Sequence, residues 1–174
     1  MPLHQQIAAR LEQAFSQQGF AEPSVAELKT AADVSLRTLY RHFPSKEAMV
    51  IGALEHRHAR YLGFLSDGEP PPGKDALRHL FKRLGDWMKN DAPHGCLSMS
   101  AFVAFPGQPQ IVAAVRLHKQ DMVALMARLS GRPDLAQALF LLHEGASAAW
   151  PLLAEQAIHA AESAALQLIE GTPS

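Results

Sequence analysis

The chain has 174 residues, 48% of them hydrophobic, and a formal net charge of −1 at pH 7. This length and apolar content suffice for a buried core, in one domain or in a small domain joined to a larger one. The near-zero charge excludes a broadly basic protein, and the single cysteine, Cys96, excludes an intrachain disulfide. No apolar run approaches the roughly 18–20 residues that span a bilayer, so we expect a cytoplasmic protein.

Apolar residues recur at helical spacing along almost the whole chain, and strand-like alternation is absent, which indicates an all-α protein. The first helix is predicted over about 3–18, with Gly19 just past its end. Ser24 and Glu27 match a capping box, in which each side chain binds an unpaired backbone N–H, and they begin a short second helix. Asp33 tolerates left-handed backbone angles, so we expect it to end this helix in a tight turn.

Two serines mark the starts of the next two helices. Ser35 is predicted to cap a third short helix over about 36–42, which Pro44 ends. Ser45 is predicted to cap a fourth helix that begins at Lys46 and continues to about residue 65.

The remaining residues are predicted to form five further helices, separated by segments rich in proline and glycine. Pro151 is expected to kink or end the fourth of these five helices. In chain order, after a polar connection over 66–75, the predicted helices cover about 77–88, 95–104, 111–129, 135–150 and 154–170.

Two short helices joined by a tight turn and braced by a longer helix are typical of a helix-turn-helix, whose second helix enters the DNA major groove. Residues 37–60 carry five Lys or Arg against two Glu, so the positive charge is local. Arg37 suits guanine O6 and N7, and Thr38, Tyr40, His42 and Lys46 suit phosphates. The candidate DNA-binding residues are Ser35, Leu36, Arg37, Thr38, Tyr40, Arg41, His42 and Lys46.

The segment TLYRHFPSKE, residues 38–47, carries the most specific signal in the chain. Together with VAEL at 25–28 and ADVS at 32–35, it resembles the DNA-binding domain of the tetracycline-repressor (TetR) family. The resemblance covers about residues 5–50. The GCL segment at 95–97 is also similar to a segment found in many members of the family.

The resemblance implies an N-terminal three-helix helix-turn-helix DNA-binding domain over 1–46 and a C-terminal helical ligand-binding and dimerisation domain over 47–174. It also implies a repressor that binds a near-palindromic double-stranded DNA operator as a homodimer and is released by a small-molecule effector. Two positions depart from the family's pattern: Lys29 replaces a usual alanine of the second helix, and Asp33 replaces the usual glycine of the turn. We expect Lys29 to extend along the surface with its ammonium in water.

Large adaptable side chains are concentrated in residues 77–126, which favours a pocket for a small apolar or aromatic molecule. Two histidines on apolar stripes can hydrogen-bond such a ligand. The candidate pocket residues are Phe81, Trp87, Met88, Cys96, Met99, Phe102, His118, Met122, Met126 and His143. The alternative is that these residues are simply core. For Cys96, which follows a glycine at a predicted helix start, a thiol sensor and a small buried apolar side chain both stay open.

The last two predicted helices are rich in alanine, and small residues let helices approach closely. Two such helices from each subunit can form a four-helix bundle across a two-fold axis. The candidate dimer-interface residues are Leu139, Leu142, Ala146, Trp150, Ile158, Ala161, Ala165 and Leu168. The alternative is that these helices close the core of their own chain.

We expect no enzyme, no cofactor and no metal site. The sequence has no glycine-rich phosphate loop, nucleophile elbow or obvious acid pair. His56 and His58 lie on different helix faces, and His143 has no second histidine four positions further on. Two alternatives to an effector-controlled repressor remain: a helical DNA-binding protein without a small-molecule effector, and a helical interaction protein that binds no DNA.

Overall fold

The computed structural model describes residues 1–21 and 23–171, and over these residues the chain is helical, with no strand. The all-α prediction is confirmed. The α-helices are α1 (Leu3–Gln18), α2 (Val25–Ala32), α3 (Leu36–His42), α4 (Lys46–Ser66), α5 (Lys74–Asn90), α6 (Leu97–Ala104), α7 (Pro109–Ser130), α8 (Ala136–Leu153) and α9 (Glu155–Gly171). A short 3-10 turn, Pro133–Leu135, precedes α8.

The chain divides into two compact units. The first takes Met1–Arg60 and Leu97–Leu117; the second takes Tyr61–Cys96 and the described residues from His118 onward. Helices α4 and α7 therefore each contribute residues to both units. The predicted domain boundary between residues 46 and 47 stays a prediction, and residues 172–174 of the predicted second domain lie outside the described residues.

The first unit has its own apolar core. The apolar face of α1 is buried, as its helical spacing predicts, and side chains of α2, α3, α4, α6 and α7 join it in one cluster. The largest fully buried side chains of this core are Phe15, Ile7, Leu11, Leu28, Leu39, Met49 and Leu54.

A buried carboxylate holds α1 to α4 within this unit. Glu12 is only 5% exposed. Its Oε1 accepts hydrogen bonds from Arg57 and Arg60 at 3.2 and 3.1 Å, and its Oε2 lies 2.6 Å from His56 Nδ1. A buried charge is tolerated only when it is paired in this way, so the cluster is an obligatory part of the α1–α4 contact.

The second unit is built on α5, which packs against α8 and α9. One face of α5 is buried: Leu77, Leu80, Phe81 and Leu84 recur at helical spacing and have no exposed surface. Helix α8 does not end at Pro151. It continues for two more residues and ends at Leu153. Among the residues described, no helix combines the length and the apolar character that crossing a membrane requires.

Candidate functional site

The start of α2 is fixed by the predicted capping box. Ser24 Oγ accepts a hydrogen bond from the Glu27 backbone N–H at 3.3 Å, and Glu27 Oε2 accepts one from the Ser24 backbone N–H at 2.7 Å. The hydrogen bonds that Ser24 donates lower the pKa of the Glu27 carboxyl. The two backbone donors that a capping box pairs are therefore satisfied, and the prediction is confirmed.

The turn between α2 and α3 has the left-handed residue that the sequence predicts. Asp33 adopts φ 53° and ψ 49°, and its backbone N–H donates to the carbonyl oxygen of Thr30 at 3.0 Å. Aspartate adopts this conformation at lower cost than most residues, so the turn forms without glycine. Lys29 is half-buried and lines an open surface hollow of about 380 Å³ beside this turn.

A contact that the sequence does not reveal holds the turn against α1. Arg10 Nη1 donates to the carbonyl oxygen of Ala32 at 2.7 Å and lies 3.4 Å from Asp33 Oδ2. The arginine thus binds the last residue of α2 and the turn residue together. No local pattern marks this role, because Arg10 is far from the turn in the sequence.

Helix α3 presents one apolar face to the core and a donor-rich face outward. Leu39 and Phe43 are buried, whereas Arg37, Tyr40 and Arg41 are exposed. Phe43 rests on Gly52 of α4, where a Cβ atom would lie 2.3 Å from Phe43 Cε1. Glycine at position 52 therefore allows the end of α3 to approach α4.

Three of the eight candidate DNA-binding residues already have local contacts. Ser35 Oγ accepts from the Thr38 backbone N–H at 3.0 Å and donates to Thr38 Oγ1 at 2.9 Å. His42 is half-buried, with its ring 5.6 Å from that of His4. Leu36 is 46% exposed, and Lys46 is the first residue of α4. The outward donors of the face are thus mainly the two arginines and the tyrosine of α3.

The candidate pocket residues separate between the two units. Met99 and Phe102 belong to the first unit. Within the second unit, five large side chains share one buried cluster, two histidines are buried and Cys96 is half-buried. The members of the cluster are Phe81, Trp87, Met88, Met122 and Met126, and the histidines are His118 and His143.

A chain of polar side chains crosses the second unit. The Tyr61 hydroxyl lies 2.6 Å from His143 Nε2, and His143 Nδ1 lies 3.3 Å from Glu144 Oε1. Glu144 Oε2 accepts from Lys119 Nζ at 2.7 Å, and that ammonium lies 3.6 Å from Cys96 Sγ. These hydrogen-bonded side chains link α4, α8 and α7. The sequence marks His143 and Cys96, but it does not show that Tyr61 and Lys119 join them.

The two charges in this chain stabilise each other. Burial raises the pKa of Glu144, but the hydrogen bond from His143 and the ammonium of Lys119 outweigh it, and the net shift is downward. Burial lowers the pKa of Lys119, but its interactions with the Cys96 sulfur and the Glu144 carboxylate outweigh it, and the net shift is upward. Both groups therefore stay ionised at neutral pH, and the pair is neutral as a whole.

Aromatic rings surround Tyr61, which lies at one end of this series of polar side chains. The Trp87 ring centroid lies 4.9 Å from that of Tyr61 and 5.4 Å from that of Phe64. The guanidinium of Arg83 covers the Phe64 ring at 3.6 Å. The outer face of Phe64 is therefore occupied by a cation, while Tyr61 and Trp87 form an aromatic wall beside His143.

The sequence model of the family described as "Bacterial regulatory proteins, tetR family" matches residues 7–53. The matched range runs from α1 into α4 and contains the whole helix-turn-helix described above. The match to the family therefore covers the helix-turn-helix region of the chain, residues 7–53. Among curated proteins, none matches the chain.

Solved structures share the fold of this chain over almost its full length. SCO4454, a TetR-family transcriptional regulator from Streptomyces coelicolor, has 22% identity and a TM-score of 0.75, covering 98% of this chain and 96% of its own. The reduced form of Escherichia coli NemR has 21% identity and a TM-score of 0.73, covering 94% and 95%. The multidrug binding protein EbrR, complexed with proflavin, has 22% identity and a TM-score of 0.65, covering 97% and 99%.

Most of the dimer-interface candidates lie in the core of the second unit. Leu142 and Leu168 are half-buried and pack against the core of the second unit. The other six are members of that core, none more than 9% exposed: Leu139, Ala146, Trp150, Ile158, Ala161 and Ala165. The stripe identifies the buried face of α8 and α9 correctly, but α5 of the same chain covers it.

The opposite face of α8 is apolar and exposed. Its residues recur at intervals of three and four, and Leu141 is 67% and Leu152 88% exposed. The exposed residues of this stripe are Ala138, Leu141, Gly145, Ala148 and Leu152. In the described part of the chain, no group of three or more His, Cys, Asp or Glu side chains is arranged to hold a metal ion.

Proposed function

We propose that the chain is a DNA-binding transcriptional repressor that places α3 in the major groove. The observation that carries the proposal is the two-sided character of α3. Leu39 and Phe43 are buried beneath it, while Arg37, Tyr40 and Arg41 point outward. A recognition helix needs this combination, because the core must hold it rigidly while its donors stay available to bases and phosphates.

Arg37 is proposed as the reader of base edges, because it lies in the first turn of α3 and its fork fits guanine O6 and N7. Tyr40, Arg41 and Lys46 are proposed as phosphate contacts. Ser35 and Thr38 hydrogen-bond each other, so their contribution is to fix the start of α3. His42 is half-buried, and it reaches a phosphate only if its ring turns away from His4.

The proposed DNA-binding form is a homodimer, since one short helix makes too few contacts for specific binding and a near-palindrome offers two half-sites. The exposed apolar stripe of α8 supports this proposal, because a second copy of the chain can pack against it. Gly145 and Ala148 allow close helix approach, and Leu141 and Leu152 supply apolar area. Leu141→Glu should produce monomers in sedimentation velocity. Leu117→Glu, at a 57% exposed leucine of α7, is the matched control.

The second unit is proposed to bind a small apolar or aromatic effector. The buried cluster of Trp87, Met88, Met122 and Met126 supports this, because thioether side chains repack around varied ligands. EbrR, similar in fold, is complexed with proflavin. An effector that favours the conformation of the protein that does not fit the operator, by about 1–3 kcal/mol, weakens operator binding roughly 5- to 150-fold.

Gel shift against DNA upstream of the chain's own gene tests the proposal. The wild type should form a complex whose affinity falls with salt, because phosphate contacts release counterions. Lys46→Ala should reduce the slope of log K against log salt by about one unit. Lys82→Ala, an exposed lysine of the second unit, should leave the slope unchanged. A chain that binds neither this DNA nor selected duplexes would be a helical protein with another partner.

A further inference from the structure

Tyr61 places a phenol against a buried histidine. Its hydroxyl lies 2.6 Å from Nε2 of His143, a residue only 3% exposed, and its ring lies 4.9 Å from Trp87. Few chemical groups could make the same contacts as the Tyr61 side chain. A group that meets His143 here must be flat enough to lie beside the indole and must carry one polar atom at its edge.

The rest of the polar chain decides what that polar atom must do. Glu144 is ionised and can only accept, so His143 carries its proton on Nδ1, facing Glu144. In the neutral imidazole Nε2 is then the acceptor, and Tyr61 donates to it. Any molecule that takes the place of Tyr61 must likewise offer an O–H or N–H donor to Nε2.

The charges nearby select against ions. Lys119 and Glu144 are paired at 2.7 Å, so this part of the unit carries no net charge for a ligand to neutralise. The remaining cation in the aromatic group, Arg83, covers Phe64 and ion-pairs with Asp67. An ionised ligand would be desolvated without compensation, whereas an uncharged aromatic molecule would not.

We propose that Tyr61 occupies its own chain's effector subsite, and that the effector is a small uncharged aromatic molecule whose phenolic hydroxyl replaces that of Tyr61 on His143. The exchange conserves the hydrogen bond to Nε2 and the ring contact with Trp87, so little is lost inside the site. Tyr61 belongs to α4, and residues 46–60 of the same helix belong to the first unit. Displacement of Tyr61 therefore acts on the helix that follows the helix-turn-helix; this last step rests on the proposed function.

Calorimetry on the full chain without DNA tests the site itself. The probe is 4-methylphenol, which is the tyrosine side chain as a free molecule, and the control is 4-methylanisole, which has the same ring but no donor. The wild type should bind the phenol and not the ether. Tyr61→Phe should bind the phenol about fivefold more tightly, because no internal hydrogen bond has to be broken. His143→Leu should lose the preference for the phenol.

A spectroscopic readout separates binding in the site from general stabilisation. Trp87 and Trp150 are the two tryptophans, and in a Trp150→Phe background the phenol should change the fluorescence of Trp87 alone. Equal binding of phenol and ether, equal affinity of wild type and Tyr61→Phe, or no binding at millimolar concentration would each overturn the proposal. Gel shift is scored separately, so a chain that binds phenol but no DNA would refute the proposed function and leave the site intact.

Discussion

Arg10 donates a hydrogen bond to the carbonyl oxygen of Ala32 at 2.7 Å, across 22 positions of sequence. The carbonyl belongs to the last residue of α2, where the helix leaves its final acceptors without helical donors. A guanidinium from α1 satisfies one of them and also reaches Asp33. The orientation of α2, and through the turn that of α3, is thereby tied to α1.

Arg10→Ala should lower the free energy of unfolding by about 1–2 kcal/mol, because a charge-assisted hydrogen bond is lost and a helix-end carbonyl is left without its donor. Urea unfolding measures this change. Arg116→Ala, at an exposed arginine of α7 in the same unit, should change it by less than about 0.5 kcal/mol. If both variants lose the same stability, the turn contact has no special role.

Gly52→Ala should disturb the support of α3. The added Cβ would lie 2.3 Å from Phe43 Cε1, so the ring must move, and we expect a loss of about 1–3 kcal/mol together with weaker DNA binding. Gly63→Ala is a matched control on α4, since no atom lies within 4 Å of its Cβ position. That variant should be stabilised by up to about 1 kcal/mol from helix propensity. If thermal unfolding shows that Gly52→Ala and Gly63→Ala shift the melting temperature in the same direction, the packing explanation is contradicted.

Glu12→Gln should destabilise the chain by about 3 kcal/mol, because it removes a carboxylate that neutralises the buried Arg57. The loss should appear in chemical denaturation. Glu55→Gln, at an exposed glutamate of α4, should be close to neutral. A small effect at Glu12 would mean that Arg57 is hydrated when the carboxylate is absent.

The Lys119–Glu144 pair predicts a pH dependence of stability. The folded pKa of Glu144 lies below its ordinary value of 4.5, so its contribution is present above pH 4.5 and is lost as the pH falls through the folded value. The difference in unfolding free energy between wild type and Glu144→Gln should therefore be constant near neutral pH and shrink in acid. Glu162→Gln serves as the control. A difference that did not change below pH 4.5 would contradict the assigned charge states.

The local features of this fold could be predicted from the sequence, because they depend on neighbouring residues. Ser24 with Glu27 and Ser35 with its helix are capping patterns, and they fix the starts of α2 and α3. Asp33 is left-handed for reasons that are equally local. Helical spacing likewise identifies the buried faces of α1, α5, α7 and α8.

What covers a buried face, and which distant groups meet, could not be predicted in this way. The stripe of α8 and α9 that contains Leu139 and Ala165 is buried under α5, while Leu141 and Leu152 are exposed on the other side of α8. Periodicity gives the same signal for a core and for a subunit interface. The contacts from Arg10 to Ala32 and from Tyr61 to His143 join residues with no shared local pattern.

The most direct test of DNA recognition is selection of binding sites from random duplexes with the wild type and with Arg37→Ala, in parallel at fixed salt. The wild type should enrich a near-palindromic sequence with a guanine at symmetric positions of the two half-sites. Arg37→Ala should still bind DNA but lose the preference at those positions, at a cost of about 1–3 kcal/mol. Identical enriched sequences from both proteins, or no enriched sequence from the wild type, would contradict the account of α3 as the recognition helix.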